Sequence, residues 1–185
     1  MLLLLLYMIK YTETQVTFSE IPDEISLCIN ISNCPHRCKG CHPPHLQEDV
    51  GELLTPEVLD KLIENNKGIT CVCFMGEGDK LFDIAYLSEL VHLKHNLKTA
   101  WYTGLDYNLS NHLIYDPLFQ EFDYVKTGPY IESLGPLNKK TTNQRMYKKV
   151  SNKPVKFESI TYRFWKGDNN DWRKFYSKMY SKRTK

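Results

Sequence analysis

Short apolar runs alternate with longer amphipathic runs along most of this chain. Four of the apolar runs have the length and composition of strands, at residues 24–32, 69–74, 97–103 and 122–127. Two other runs repeat apolar side chains at helical intervals, one starting after Thr55 and one from Phe82 to about Asn96. Thr55 can cap the first helix, and Pro56 suits its first position. This order predicts an α/β fold of mainly parallel strands.

The rest of the chain has weaker patterns. Pro117 interrupts residues 108–121, which predicts two short pieces there. Residues 155–165 alternate like a strand or hairpin, and residues 171–180 carry an apolar helical face that we expect to pack on the body of the protein. We predict a single domain over residues 1–185, with its core at about 20–150 and a C-terminal extension at about 151–185.

An apolar segment, residues 1–9, stands at the start of the chain. It is too short to span a bilayer, which takes about 20 residues. It also lacks the basic region and the cleavage site of a secretory signal. We expect either a short strand or a translation start at Met8 that leaves the leucines out.

Composition and charge are typical of a soluble globular protein. The chain has 185 residues, of which 42% are hydrophobic and 25% are charged, and this length allows a sizeable core. The net charge of +2 gives no case for a nucleic-acid or membrane partner. Three of the six cysteines lie in one tight loop, which argues against a disulfide framework. We therefore expect a reducing, cytoplasmic location.

Unusual loops follow each of the predicted strands. They begin at Cys34, at Met75, at Thr103-Gly104 and at Gly128-Pro129. Because the carboxyl ends of parallel strands meet at one edge of a sheet, these loops are expected to form one site.

The first of these loops contains three cysteines, Cys34, Cys38 and Cys41, at spacing Cys-x3-Cys-x2-Cys. Three thiolates this close in sequence converge on a metal ion or a cluster. A closed structural zinc site normally has four protein ligands, so three ligands leave one position open. A zinc knuckle that adds His45 as a fourth ligand is the alternative. The other cysteines, Cys28, Cys71 and Cys73, are expected to be packed side chains.

The cysteine spacing resembles that of the radical S-adenosylmethionine (SAM) enzymes. The segment at residues 38–42 resembles the activating proteins of anaerobic ribonucleoside-triphosphate reductase. This resemblance implies an incomplete (βα)-barrel in which the three cysteines hold a 4Fe-4S cluster, with the open iron binding the amino and carboxylate groups of SAM. It further implies that Gly40, Cys41 and His42 lie beside the cluster and the adenine.

Two later motifs resemble the SAM-binding parts of the same family. Gly76 and Glu77 match the family's Gly-Gly-Glu-Pro stretch, although Met75 and Gly78 depart from it. The resemblance implies that this stretch holds the SAM amino group. Thr103 belongs to a Tyr-Thr-Gly run that resembles the next strand end of the family, and it is implied to bind a ribose hydroxyl.

The most specific resemblance lies near residue 130. Residues 126–130 and 141–145 resemble the Asp-Gly-Pro-Phe and Ser-x-Asn-Gln-Arg motifs of the reductase-activating proteins. Lys126 and Thr127 depart from the family's acidic residue, which puts the role of a carboxylate there in doubt. Residues 143–145 are expected to order the loop over SAM or to meet the partner.

The implied activity is generation of a glycyl radical on an anaerobic ribonucleoside-triphosphate reductase, with an electron donor such as flavodoxin. In this family the reduced cluster cleaves SAM to methionine and a 5′-deoxyadenosyl radical, which takes a hydrogen atom from a glycine of the partner. No side chain is assigned as a catalytic acid, base or nucleophile. The alternatives are an activase of another glycyl radical enzyme, such as pyruvate formate-lyase, and a non-catalytic zinc-binding interaction module.

Overall fold

The computed structural model describes residues 9–41, 43–77, 81–110 and 117–165. The described residues contain eight strands, β1 (Lys10–Thr17), β2 (Ser26–Ile31), β3 (Glu52–Leu53), β4 (Cys71–Met75), β5 (Lys98–Tyr102), β6 (Tyr124–Thr127), β7 (Arg145–Asn152) and β8 (Val155–Ser159). They form one sheet in the order β3-β1-β2-β4-β5-β6-β7-β8. The predictions for residues 1–8 and 171–180 lie outside the described residues.

The centre of the sheet is parallel and its flanks are antiparallel. Strands β2, β4, β5 and β6 pair in parallel, and each corresponds to one of the four predicted strands. The flanks consist of β1, β3, β7 and β8, which pair in antiparallel fashion. The sequence analysis predicted a strand or hairpin in the region of β8 but did not predict the other three strands. The sheet is therefore mixed, and in the described residues β3 and β8 are its two edges. The incomplete barrel stays a prediction.

Two α-helices in the described residues connect the parallel strands. Helix α1 (Pro56–Asn65) lies between β3 and β4, and helix α2 (Leu81–His95) lies between β4 and β5. The predicted cap is confirmed, because Thr55 Oγ1 accepts a hydrogen bond of 3.3 Å from the amide of Val58. Pro117–Glu121 forms a short 3-10 helix, so one of the two pieces predicted near Pro117 is present. No helix among the described residues is long and apolar enough to cross a membrane.

The two faces of the sheet contribute to different apolar clusters. One face contributes residues such as Leu27, Phe74 and Trp101 to a cluster that also includes the buried faces of α1 and α2. The other face contributes Cys28 and Tyr124 to a second cluster. Side chains alternate between faces along a strand, and Cys28 lies opposite Leu27 and Ile29 as that alternation predicts.

The second face carries a row of side chains at the carboxyl ends of the parallel strands. Strand register places Asn30, Met75, Tyr102 and Lys126 side by side in one row across β2, β4, β5 and β6. This row lies at the carboxyl ends of the parallel strands. Cys28, Cys73 and Ala100 form the next row toward the amino ends, and they are buried.

Candidate functional site: a cysteine-lined cleft at the strand ends

A cleft of about 910 Å³ opens at the carboxyl ends of the parallel strands. The four loops that the sequence placed at one edge all contribute to its lining, with Cys34, Cys38, Gly40, Cys41, Gly76, Thr103, Gly104, Gly128 and Pro129. The row formed by Asn30, Met75, Tyr102 and Lys126 lines it as well. The predicted meeting of the four loops is therefore present in the fold.

Hydrogen bonds from the backbone and from Gln47 hold the cysteine loop in place. The amide of Cys34 donates to the carbonyl of Leu46 at 2.9 Å, and the side-chain amide of Gln47 donates to the carbonyl of Cys38 at 3.0 Å. The amide of Cys41 donates to the carbonyl of Cys38 at 3.1 Å, which closes a turn. The loop is thus anchored on the short 3-10 helix Pro44–Gln47, and its cysteines line the cleft.

The three thiols of this loop are free and only partly exposed. Burial raises the pKa of Cys34, and the negative charges of Glu77, Cys41 and Cys38 raise it further. Burial also raises the pKa of Cys41, with a further contribution from Cys38. The thiolates therefore repel one another, and bringing them together as anions requires a positive partner.

Glu77 connects the cysteine loop to the ends of β4 and β5. Its side chain is buried, with a residue exposure of 1%. One carboxylate oxygen, Oε2, contacts Nε2 of His36, and the other, Oε1, accepts a hydrogen bond from Thr103 Oγ1. Thr103 Oγ1 in turn accepts from the amide of Leu105 at 3.0 Å. Sequence reasoning identified Glu77 and Thr103 but missed His36, whose partner lies in a different loop.

Two glycines permit the close approaches in this region. Gly76 has φ +118°, and a β-carbon there would lie 2.6 Å from the carbonyl oxygen of Ile31. A β-carbon at Gly104 would overlap the imidazole ring of His36. The carbonyl of Gly76 also accepts a hydrogen bond of 3.0 Å from Nε1 of the buried Trp101. The Gly76-Glu77 turn is thereby fixed from the core side of the sheet.

A buried lysine faces the same cleft. Lys126 is 8% exposed, and its ammonium group donates a hydrogen bond of 2.8 Å to the carbonyl of Gly128. Burial lowers the pKa of Lys126 to about 8, while the negative charges of Cys38, Cys41, Cys34 and Glu77 act in the opposite direction. The sequence analysis treated Lys126 only as a departure from a motif. The alternation of β6, in which Tyr124 and Lys126 share a face, is the signal that places it in the cleft.

The run at residues 143–145 supports the loop after β6. The side-chain amide of Asn143 donates to the carbonyl of Pro129 at 2.9 Å, and that of Gln144 donates to the carbonyl of Gly128 at 3.4 Å. Arg145 instead donates to the backbone carbonyl of Thr142 at 2.7 Å. These contacts connect the run to the loop after β6, and its expected roles in ordering that loop over SAM or in meeting the partner stay predictions.

Residues 25–148 match the family model of the 4Fe-4S single cluster domain, and this match spans more than half of the chain. The chain belongs to this 4Fe-4S single cluster family. No curated protein and no solved structure matches the chain significantly. The iron–sulfur part of the sequence prediction is therefore confirmed, and the family match favours a cluster over the zinc alternative.

The cleft of this 4Fe-4S single cluster protein has a donor set that fits its cofactor. Thiolates are the usual protein ligands of iron–sulfur clusters. Cys34, Cys38 and Cys41 line one cleft, carry no disulfide and are backed by the Lys126 cation. In the described residues, no group of three or more His, Cys, Asp or Glu side chains is arranged to hold a single metal ion, so the three cysteines share the cleft without converging on one point. His45, the fourth ligand of the zinc alternative, is exposed.

The remaining predicted site residues have different outcomes. Gly40 lines the cleft beside Tyr130 and Glu132. His42 and Gly78 lie outside the described residues. The buried cysteines of the sheet, Cys28, Cys71 and Cys73, lie in the second apolar cluster, as expected for packed side chains.

Proposed function

We propose that this 4Fe-4S single cluster protein is a radical SAM activase that generates the glycyl radical of an anaerobic ribonucleoside-triphosphate reductase. One observation carries the proposal. The cleft brings the cysteine loop together with Gly76 and Thr103, which resemble SAM-binding motifs of that family, and with the loop at Gly128, which resembles a motif of the reductase-activating proteins. Glu77 lies directly behind them, in contact with Thr103.

In this proposal, Cys34, Cys38 and Cys41 hold the cluster. When reduced, the cluster supplies the electron that cleaves the sulfur–carbon bond of SAM. The buried carboxylate of Glu77 offers the charge that an amino group needs. Its Oε2 contacts His36 Nε2, and its Oε1 accepts a hydrogen bond from Thr103 Oγ1. Binding of an amine at Glu77 therefore requires the His36 ring to move away from Oε2.

The protein partner would reach the cleft from the side that the sheet leaves open. We propose that the mixed sheet is the incomplete barrel of this family and that its rim receives the glycine-bearing loop of the reductase. Tyr130 and Arg163 lie on the lining of the cleft and would meet such a loop. Arg163 is held by a two-point contact with Asp23, at 2.6 and 2.8 Å.

The experiment that tests the proposal is SAM cleavage by anaerobically reconstituted protein. Reconstituted protein, SAM and dithionite should yield 5′-deoxyadenosine and methionine. The variants Cys34→Ala, Cys38→Ala and Cys41→Ala should each abolish this yield, because each removes one ligand of the cluster. Cys73→Ala is the matched control, since it removes a buried cysteine of the sheet that does not line the cleft. Normal cleavage by any of the three loop variants would refute the proposal.

The identity of the partner needs a separate measurement. The protein, SAM and reductant are mixed with an anaerobic ribonucleoside-triphosphate reductase or with pyruvate formate-lyase, and the glycyl radical is recorded by electron paramagnetic resonance. The proposal predicts a radical on the reductase. A radical on the lyase alone would assign the protein to another glycyl radical enzyme. If anaerobically purified protein contains zinc and no sulfide, the activase proposal is refuted and the zinc-binding interaction module is favoured.

A further inference from the structure

Lys126 is placed in the cleft by the register of the central strands. It pairs with Tyr102 of β5 on one side and with Met146 of β7 on the other. Its side chain leaves the same face of the sheet as Tyr124, which is the face that leads to the cleft. Lys126 is therefore held at the carboxyl end of β6, behind the cysteine loop.

The environment of this side chain is unusual for a lysine. Lysine is almost never fully buried unless it is paired. Lys126 is 8% exposed, and its ammonium group donates a hydrogen bond to a neutral carbonyl, that of Gly128. The groups whose negative charge would stabilise it are Cys38, Cys41 and Cys34 in their thiolate form, followed by Glu77. The protein thus keeps a cation inside the fold where its counter-charges are the predicted cluster ligands.

We propose that Lys126 is the charge-compensating group of the cluster and that it raises the reduction potential of the bound cofactor. The physical reason is electrostatic. Reduction adds one electron to a centre that already carries the negative charges of its thiolate ligands. A buried cation in the same cleft as those ligands stabilises the reduced form more than the oxidised form, and water screens this interaction little.

Lys39 provides a comparison within the same chain. It follows Cys38 directly in sequence and carries the same charge, but it is exposed to solvent. Charges on the surface are screened by water and salt, so their effect on a nearby centre is small. Lys126 should therefore affect the cluster potential more than Lys39 does, because Lys126 is buried and Lys39 is exposed.

The inference rests on the cysteine ligands and the cluster, but not on SAM cleavage or on the partner.

The test is a redox titration of the reconstituted protein without SAM, using dithionite and mediators, with the reduced cluster followed by electron paramagnetic resonance. Lys126→Met removes the charge and keeps an unbranched side chain that is one heavy atom shorter. At a fixed solution potential we expect its ratio of reduced to oxidised cluster to fall at least about tenfold, a shift of about 59 mV for one electron.

Three control variants separate charge from shape. Lys126→Arg retains the charge and should keep a potential close to that of the parent protein. Lys126→Gln retains a hydrogen-bond donor without the charge and should behave like Lys126→Met. Lys39→Met removes an exposed charge beside Cys38 and should shift the potential much less. Iron and sulfide content, measured for each variant, establishes that the same cluster is being compared.

The possible results divide clearly. An unchanged potential in Lys126→Met with a full cluster would overturn the proposal, as would equal shifts in Lys126→Met and Lys39→Met. If both neutral variants fail to take up a cluster while Lys126→Arg takes it up, the requirement for a positive charge is supported. If Lys126→Arg fails as well, the residue acts through its shape and the proposal is wrong. Loss of SAM cleavage with a normal potential would count against the proposed activase, not against this inference.

Discussion

Glu24 is a buried carboxylate at the end of the sheet opposite the cleft. It is 6% exposed and lies just before β2. Thr70 Oγ1 donates to its Oε2 at 2.7 Å, and the hydroxyl of Tyr124 donates to its Oε1 at 2.9 Å. The ammonium group of Lys98 also contacts Oε1. One carboxylate thus connects the beginnings of four neighbouring parallel strands, and replacing it with glutamine should weaken the centre of the sheet.

The expected loss follows from these contacts. A hydrogen bond to a charged group contributes about 1.5–3 kcal/mol, so the two hydroxyl donors account for most of the effect. Lys98 adds less than about 1 kcal/mol, because its side chain is 51% exposed and water screens the pair. The glutamine variant retains one oxygen acceptor and therefore part of the network. Glu24→Gln should lower the free energy of unfolding by roughly 2–4 kcal/mol near neutral pH.

The effect should depend on pH in a defined direction. Burial alone raises the pKa of Glu24, but hydrogen bonds from Lys98, Thr70 and Tyr124 outweigh it, and the net pKa is lowered from 4.5. A carboxyl group with a lowered pKa stabilises the folded state above its unfolded pKa, and this contribution is lost as the pH falls through the folded value. The difference between parent and variant should therefore be full at pH 7 and shrink below about pH 4.5.

Urea denaturation of both proteins over this pH range measures the effect. Asp23 supplies a matched control, because it is the preceding residue and is also ion-paired, with Arg163, but its side chain is 64% exposed. Asp23→Asn should cost much less than Glu24→Gln. Two results would contradict the reasoning. One is equal losses in the two variants, and the other is a Glu24→Gln loss that stays constant from pH 7 into acid.

Two further predictions concern the turns that form the cleft. Gly104→Ala should destabilise the fold by about 1–3 kcal/mol in thermal unfolding, because the new methyl group overlaps the His36 ring. In a His36→Ala background the same change should cost almost nothing, and an undiminished cost would place its origin elsewhere. Trp101→Phe should leave the Gly76 carbonyl without its indole donor, at a cost of about 1–3 kcal/mol. Hydrogen exchange of the peptide around Gly76 should speed up, and unchanged protection there would contradict the assigned role.

The elements that the sequence predicted are those with an alternating or a continuous apolar pattern. Residues 24–32 show strict alternation, and β2 (Ser26–Ile31) follows it with Cys28 on the opposite face from Leu27. Strand β1 was not predicted, because its sequence has no apolar face. That sequence is Lys-Tyr-Thr-Glu-Thr-Gln-Val-Thr. Its place in the sheet comes from backbone hydrogen bonds to β2 and β3, and such bonds do not require particular side chains.

Local patterns thus determined the strands of the central sheet, the Thr55 cap and the cysteine loop, because each depends on residues close together in the chain. The contacts that make a site depend instead on strand order and register. His36 meets Glu77 only because β2 and β4 are parallel neighbours, so that their carboxyl-end loops lie side by side. Lys126 becomes a buried cation only because β6 lies between β5 and β7. Tertiary structure decides such burial, since the solvation and charge of a side chain are set by neighbours that are distant in sequence.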